Sequence, residues 1–225
     1  METERVREHF RVQVSDYGSL MARLIPFYDE QRNLMLGLIP FGRQEALRVL
    51  DLGCGPGLMA ARLLTEFPRS ELTVFDLTAE MIEACRVRLG QHDRIRYLVG
   101  DFRSDDFGRG YDFVVASLSL HHLELSERLR FFKRVHDALK PGGYLVAAEI
   151  IVDESPVVRD QQYALWRQFM RDHGEDGDTW YGKHLAKDHP ARISVLVSML
   201  AGAGFETAGC FWRYLNFAII RGSKA

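Results

Sequence analysis

The residues best suited to chemistry in this sequence of 225 residues lie in the stretch 51–57, Asp-Leu-Gly-Cys-Gly-Pro-Gly. Gly53, Gly55 and Gly57 can adopt positive φ angles, and their missing Cβ atoms let a ligand approach the backbone. An apolar strand precedes this turn and a helical pattern follows it, which is typical of a nucleotide site. The third glycine comes one residue earlier than in the dinucleotide fingerprint, so the turn departs from that pattern.

An acid, Asp51, lies two residues before the first glycine of the turn. A carboxylate there would repel a pyrophosphate, whereas it would attract a cationic or hydroxyl-rich ligand. The turn therefore favours an adenosyl sulfonium amino acid over NAD, and an NAD-dependent dehydrogenase is a minor alternative.

A second acid, Asp76, ends a predicted strand over 72–76. An acid about 20 residues beyond a glycine turn can accept hydrogen bonds from both ribose hydroxyls. The alternative is that Asp76 caps the next helix, but Thr78 is better placed for that role. We therefore predict that Asp76 binds a ribose.

A third acid, Asp101, follows Gly100 just beyond a predicted strand over 95–99. Its carboxylate could accept a hydrogen bond from the amine of adenine, while Phe102 packs on the ring face. Gly-Asp is also ordinary turn chemistry, so a purely structural role stays open. The charged stretch 103–109 is predicted to be a solvated loop.

Two adjacent histidines, His121 and His122, follow a fourth predicted strand over 111–117. Ligands bind at the carboxyl ends of parallel strands, so both should face the reaction. A neutral imidazole can accept a proton, which makes them candidate catalytic bases, with His121 preferred because it is nearer the strand. Capping or packing is the alternative. The pair lacks the H-E-x-x-H arrangement, so no metal site is predicted.

The composition is that of an ordinary globular protein, with 47% hydrophobic and 27% charged residues. The formal net charge of -2 offers no basic field for nucleic acid, so a nucleic-acid partner is unsupported. The stretch 1–11 lacks the apolar core of a signal peptide, and no 18 apolar residues run together, which predicts a cytoplasmic protein without a membrane partner. Cys54, Cys85 and Cys210 form no CxxC pair and are predicted to be reduced core thiols.

One domain over 1–225 is sufficient for a chain of this length. Helices broken at Pro26 and Pro40 are predicted before the first strand, and alternating strands and helices follow. The predicted parts are a helical N-terminal cap over 1–45, a ligand-binding core over 46–151, a helical insertion over 152–190, and a C-terminal helix and hairpin over 191–225. Strands are predicted over 47–52, 72–76, 95–99, 111–117, 144–150, 205–212 and 214–221, and helices over 58–67, 79–89, 126–139 and 192–203, with a further helix from 155.

The cap and the insertion carry candidate substrate contacts. Tyr17, Tyr28 and Arg32 either pack the cap onto the core or form a lid, in which a tyrosine covers the amino-acid end of the ligand and Arg32 pairs with a carboxylate. Trp180 lies in the insertion, which is predicted to shape the acceptor site. Glu149 lies near the end of the fifth strand, where its carboxylate could reach the acceptor. A joint role for Tyr17, Tyr28, Arg32 and Trp180 in orienting the acceptor is predicted.

The glycine turn, the acids after strands two and three, and Leu139-Lys-Pro-Gly-Gly143 together resemble the class I S-adenosylmethionine (SAM) dependent methyltransferases over about residues 45–225. The resemblance implies an α/β fold, a Rossmann-like seven-stranded mostly parallel sheet with an antiparallel C-terminal hairpin and helices on both faces. It also implies these cofactor contacts: Gly53, Gly55 and Gly57 at the methionine part, Asp51 at its ammonium, Asp76 and Leu77 at the ribose, Asp101 and Phe102 at the adenine, and Ser117 and Leu118 at the sulfonium.

A narrower similarity is to carboxy-SAM synthases, through the segment 25–28, the stretch 125–128 and the stretch 212–217. Met199 falls, by rough alignment, where such a synthase has an arginine that reads the carboxylated cofactor, which favours plain SAM here. The expected function is methyl transfer from SAM to a small-molecule acceptor by in-line displacement, with S-adenosyl-L-homocysteine as product. The alternatives are a synthase-like enzyme that uses SAM unconventionally, and a non-catalytic SAM-binding interaction protein, with a homodimer through the N-terminal helices.

Overall fold

Helices and strands alternate along residues 16–225, the part of the chain that this computed structural model describes. The portion of the predicted N-terminal helical stretch before residue 16 lies outside the described residues. The helices are α1 (Tyr17–Leu24), α2 (Tyr28–Gly37), α3 (Leu58–Glu66), α4 (Ala79–Leu89), α5 (Leu125–Ala138), α6 (Pro156–Asp172), α7 (Gly177–Lys187) and α8 (Ile193–Gly202). The strands are β1 (Arg48–Leu52), β2 (Glu71–Asp76), β3 (Ile95–Val99), β4 (Tyr111–Ser117), β5 (Leu139–Ile150), β6 (Gly209–Tyr214) and β7 (Phe217–Ser223), and a 3-10 turn covers Leu120–His122.

The strands form one seven-stranded sheet in the order β3-β2-β1-β4-β5-β7-β6. Strands β1 to β5 run parallel, and β7 pairs antiparallel with both β5 and β6. The predicted α/β fold class, with its antiparallel C-terminal hairpin, is therefore confirmed. The chain leaves β1 toward β2 on one side and later returns to β4 on the other, which opens a crevice at the carboxyl ends of these strands.

Apolar side chains cover both faces of the sheet, as the nearly continuous hydrophobic runs of its parallel strands require. Leu50 and Leu52 belong to a buried cluster on one face, and Val49 belongs to the cluster on the other. Because successive strand residues point to opposite faces, β1 contributes to both layers of the core. None of the helices in the described part of the chain has the length and hydropathy needed to cross a membrane.

The N-terminal helices and α6 share a third buried cluster, which includes Leu24, Tyr28 and Trp166. The indole Nε1 of Trp166 donates a hydrogen bond of 2.7 Å to the carbonyl oxygen of Leu24. Arg23 forms an ion pair of 2.7 Å with Glu175, just before α7. The cap and the insertion, distant in sequence, are thus joined to each other.

Most predicted bounds lie within a residue or two of the structure, and the larger differences are at β5 and in the C-terminal hairpin. The stretch Lys140 to Gly143, predicted as a turn, lies within β5. It shifts the register of that strand against β4, because Tyr111 pairs with Leu139 whereas Phe113, two residues later, pairs with Tyr144. The hairpin between β6 and β7 turns at residues 215–216 rather than near residue 213. Leu215 has a φ of 48°, a left-handed conformation that the sequence pattern does not signal.

Candidate active site

Two adjoining cavities lie at the carboxyl ends of β1, β2 and β4. Cavity A, of about 480 Å³, is bordered by Asp76, Leu77, Asp101 and Phe102. Cavity B, of about 140 Å³, is bordered by residues of the core, the cap and the insertion. Its border includes Tyr28, Arg32, Asp51, His121, Trp166, Trp180, His184 and Asp188. Residues that border both cavities are Tyr17, Gly53, Gly55, Ser117, Leu118, His122 and Lys187.

The glycine turn forms part of the wall between the two cavities. Gly53 has a φ of 70°, and a Cβ atom built on it would lie 2.3 Å from the Cβ of Ser119. Only glycine therefore lets the turn approach the segment after β4 so closely. Gly57 borders neither cavity, and a Cβ there would lie 2.7 Å from the Sγ of Cys85. This contact places Gly57 in the packing of α3 against α4 rather than at the cofactor, where it was predicted.

Asp76, predicted to bind a ribose, borders cavity A and also holds the glycine turn. Its Oδ2 accepts a hydrogen bond of 2.8 Å from the Gly55 amide, and its Oδ1 accepts one of 3.1 Å from the Thr78 amide. Burial raises the pKa of Asp76, although these hydrogen bonds stabilise the charged carboxylate and so act to lower it. Thr78 caps α4 by accepting from the Met81 amide at 3.2 Å, so Asp76 is not the N-cap of that helix.

Asp101 is held by an arginine that the sequence reasoning placed in a solvated loop. Arg103 Nε lies 3.0 and 2.9 Å from the two carboxylate oxygens of Asp101, and its Nη2 lies 2.7 Å from Oδ2. Arg103 itself borders cavity A, which corrects the earlier prediction. Although partial burial opposes it, this pairing lowers the pKa of Asp101. The pair fixes a charged carboxylate beside Phe102 at the edge of cavity A.

Asp51 is fully buried at the end of β1, and no side chain of the described residues donates a hydrogen bond to either of its oxygens. Burial, together with the nearby carboxylate of Asp76, raises its pKa to about 7. A buried carboxylate with no side-chain donor or opposite charge beside it is costly, and a cationic ligand would supply the missing charge. The prediction that Asp51 faces an ammonium thus acquires a physical basis.

The predicted bases meet an acid that sequence reasoning missed. Asp188 Oδ1 lies 3.1 Å from His122 Nδ1 and 3.9 Å from His121 Nε2, and Asp188 Oδ2 lies 2.7 Å from His184 Nδ1. Burial would raise the pKa of Asp188, but these three histidines hold it well below its usual range. Burial and the neighbouring His122 lower the pKa of His121 well below its ordinary value, so its imidazole is neutral. No local motif marks Asp188, because only folding brings α7 to the end of β4.

Four of the predicted substrate contacts lie at the cavities. Tyr28, Arg32 and Trp180 border cavity B as expected, and Tyr17 borders both cavities. The guanidinium carbon of Arg32 lies 4.0 Å from the centre of the Tyr28 ring, and Arg32 also pairs with Asp29. The tyrosine therefore serves both packing and the cavity wall, so the two alternatives for these rings are compatible.

Glu149 borders neither cavity, which corrects its predicted role at the acceptor. It lies 3.6 Å from the buried guanidinium of Arg128, on the sheet face opposite to that of Ala148. Burial, opposed by Arg128, raises the pKa of Glu149 to about 7. Arg128 donates to the carbonyl oxygens of Leu123 and His189. The His189 amide donates in turn to the His121 carbonyl oxygen at 2.7 Å, so this buried pair anchors the turn that carries the histidines.

Met199, predicted to stand in place of a cofactor-reading arginine, packs against the core from α8. It borders neither cavity. The residue at this position therefore gives no information about a carboxylate on the cofactor.

The groups around the two cavities fit SAM. The orphaned carboxylate of Asp51 suits the ammonium of its methionine part, and the acid of Asp76 suits a ribose diol. Asp101 and Phe102 offer an acceptor and a ring face at the far side of cavity A. The backbone of Gly53 and Gly55 lies between these groups, where their missing side chains leave room.

A substitution in the glycine turn tests this geometry. Gly53→Ala is expected to lower the free energy of unfolding by about 1–3 kcal/mol, because the new Cβ meets Ser119 and the φ angle suits glycine. Gly55→Ala is the matched control, since no atom lies within 4 Å of a Cβ there and only the positive φ is unfavourable. Urea denaturation of both variants measures the difference. Equal stability of the two variants would contradict the close approach to Ser119.

Comparisons with known proteins agree with the fold. A family model described as a methyltransferase domain matches residues 49–143. The carboxy-SAM synthase of Chromohalobacter salexigens is 28% identical over 222 aligned residues, covering 91% of this chain and 78% of that protein.

Solved structures share the fold at lower identity. The human N-acetylserotonin methyltransferase in complex with SAM superposes with a TM-score of 0.62 at 19% identity, over 97% of this chain and 61% of that one. The SAM-dependent methyltransferase SibL superposes with a TM-score of 0.63 at 21% identity, over 88% of this chain and 55% of that one. This chain thus spans less than two thirds of either of these proteins. Residues 49–143 thus match a methyltransferase domain, the whole sheet has the fold of SAM-dependent methyltransferases, and the comparisons support SAM as the cofactor.

Proposed function

We propose that the protein transfers the methyl group of SAM to a small-molecule acceptor bound in cavity B. The observation that carries this proposal is the shared border of the two cavities, at Gly53, Ser117, Leu118 and His122. With the adenosine of SAM in cavity A and its methionine part at Asp51, on the side of cavity B next to the glycine turn, the sulfonium would lie at this border, and the methionine part would share cavity B with the acceptor. SAM, when bound, supplies an electrophilic methyl group, so the chain's main contribution is to hold the acceptor close and in line.

The backbone at the border supports this positioning role. Leu118 has a φ of 55°, which is uncommon for a residue other than glycine, and such conformations cluster at functional sites. Its amide donates to the carbonyl oxygen of Ala148 at 2.9 Å, which holds it against β5. The strained residue thus forms a fixed wall where the two cavities meet.

Cavity B suits a small organic acceptor. Tyr28 and Trp166 supply apolar ring surface, and Trp180 is oriented by a hydrogen bond of 3.0 Å from its Nε1 to Glu175. Tyr17, Tyr28, Arg32 and Trp180 orient the acceptor in this proposal, and their joint replacement should lower turnover. An acceptor that carries a proton would give it to His121 or His122, both of which border the cavity.

A second candidate is a reaction like that of the carboxy-SAM synthases, favoured by the similarity that extends over 91% of the chain. A third is SAM binding without catalysis, in a homodimer formed through the N-terminal helices. We retain the division into a cap over 1–45, a core over 46–151, an insertion over 152–190 and a C-terminal unit over 191–225, since the cap and insertion both border cavity B.

Calorimetry with SAM, followed by incubation with methyl-tritiated SAM and a pool of small metabolites, separates these candidates. Methyl transfer into a small molecule is the expected result. Carboxylated SAM found by mass spectrometry in the purified protein would favour the synthase-like reaction. SAM binding without transfer would favour the non-catalytic role, and failure to bind SAM would reject all three.

A further inference from the structure

Two histidines and one acid at the edge of cavity B form a cluster with the composition of a metal site. His121, His122 and Asp188, here called the histidine cluster, each offer one ligand atom, and these atoms lie within 4.8 Å of one another. His121 is 4% exposed, and its Nδ1 has no hydrogen-bond partner. Three donors so close together could surround one ion with small side-chain movements.

A second layer of residues orients the acid of the histidine cluster. His184 Nδ1 lies 2.7 Å from Asp188 Oδ2, which leaves Oδ1 directed at His121 and His122. His184 Nε2 lies 3.2 Å from the hydroxyl of Tyr163, so the orienting imidazole is itself held. Metal-binding carboxylates are commonly fixed by such outer hydrogen bonds.

The donor types select a class of ion. Two imidazole nitrogens and one carboxylate oxygen suit Zn²⁺, Co²⁺, Ni²⁺ or Fe²⁺, whereas Mg²⁺ and Ca²⁺ prefer oxygen ligands. Three protein ligands leave at least one coordination position free. Since all three residues border cavity B, a free position would face the space assigned to the acceptor.

We propose that the histidine cluster binds one divalent transition-metal ion, with an open coordination position toward cavity B. Binding of the ion does not depend on the proposed function, because none of its three ligands is assigned to SAM. The effect on catalysis does rest on the proposed function. An ion and a proton compete for the same imidazole nitrogens, so the metal-bound protein could not use these histidines as bases.

Calorimetry with ZnCl₂ and visible spectroscopy with CoCl₂, on full-length protein freed of metal by a chelator, test the proposal. We expect one ion per chain and a visible absorption band for bound Co²⁺. Asp188→Asn and His122→Ala should each weaken binding at least about tenfold, and His184→Ala should weaken it through the second layer, again by about tenfold. His173→Ala is the matched control, because His173 is exposed on another part of the insertion.

Circular dichroism of each variant verifies folding. If Asp188→Asn does not fold, His122→Ala tests the site instead, because His122 is half-buried. The proposal is overturned if the wild-type protein binds neither ion. It is equally overturned if folded His122→Ala binds both ions as the wild type does. A separate titration with SAM keeps the two proposals distinct: metal binding without SAM binding rejects only the proposed function, and the reverse rejects only the metal site.

Discussion

Asp76→Asn is expected to weaken SAM binding about 100-fold. Each hydrogen bond from a ribose hydroxyl to a carboxylate contributes about 1.5–3 kcal/mol, because the acceptor is charged. Asparagine keeps one oxygen but presents an NH₂ group in place of the other. If that group faces Gly55, two donors meet, since the Gly55 amide now donates to Asp76 Oδ2 at 2.8 Å. The variant therefore loses ligand contacts and also disturbs the glycine turn.

Isothermal titration calorimetry with SAM and S-adenosylhomocysteine measures this effect. Asp93→Asn is the matched control, because Asp93 is exposed and borders neither cavity A nor cavity B. The control should bind both ligands as the wild type does. An affinity of Asp76→Asn within twofold of the wild type would show that Asp76 does not bind the ribose.

Asp51→Asn is expected to stabilise the ligand-free protein at pH 8 and to weaken SAM binding. The pKa of Asp51 is about 7 in the folded chain, against an ordinary value of 3.8. Below pH 3.8 the acid is protonated in both states and contributes no difference. Between pH 3.8 and 7 the unfolded chain ionises first, so this acid progressively lowers the free energy of unfolding as pH rises. The full difference between the two pKa values corresponds to about 4 kcal/mol in the free energy of unfolding, and half of that would already be a large change in stability.

Urea denaturation of the wild type and Asp51→Asn at pH 5 and pH 8 tests the stability effect. The advantage of the variant should be larger at pH 8, whereas Asp93→Asn should follow the wild type at both pH values. A variant that is less stable than the wild type at pH 8 would contradict the assignment of an unfavourable buried charge.

Calorimetry across the same pH range tests the function of that charge. An ammonium favours the ionised form of Asp51, so the affinity of the wild type for SAM should rise as pH increases through about 7. Asp51→Asn should bind more weakly and lose most of this dependence. Together, the two experiments distinguish a carboxylate kept for its ligand from one that supports the fold.

Several elements could be predicted from the sequence because their signals are local. The bounds of α4, β3 and β4 agree with the predicted ones, since Thr78 caps the helix and turn residues border the strands. The end of the hairpin was harder to predict. Leu215 adopts a left-handed conformation without glycine, so its turn carries no residue signature.

The glycine turn and the alternation of strands and helices were enough to predict the parallel core and the places of Asp51, Asp76 and Asp101 at strand ends, because a parallel sheet brings these ends to one edge. The surroundings of these acids depend on how distant parts of the chain pack together. In the folded chain Glu149 lies beside Arg128 on the other side of β5, and Asp188, at the end of α7, lies beside His121 and His122. Local patterns give the positions of strands and helices along the chain, whereas contacts between distant segments depend on side-chain direction and on how the cap and insertion pack over the crevice.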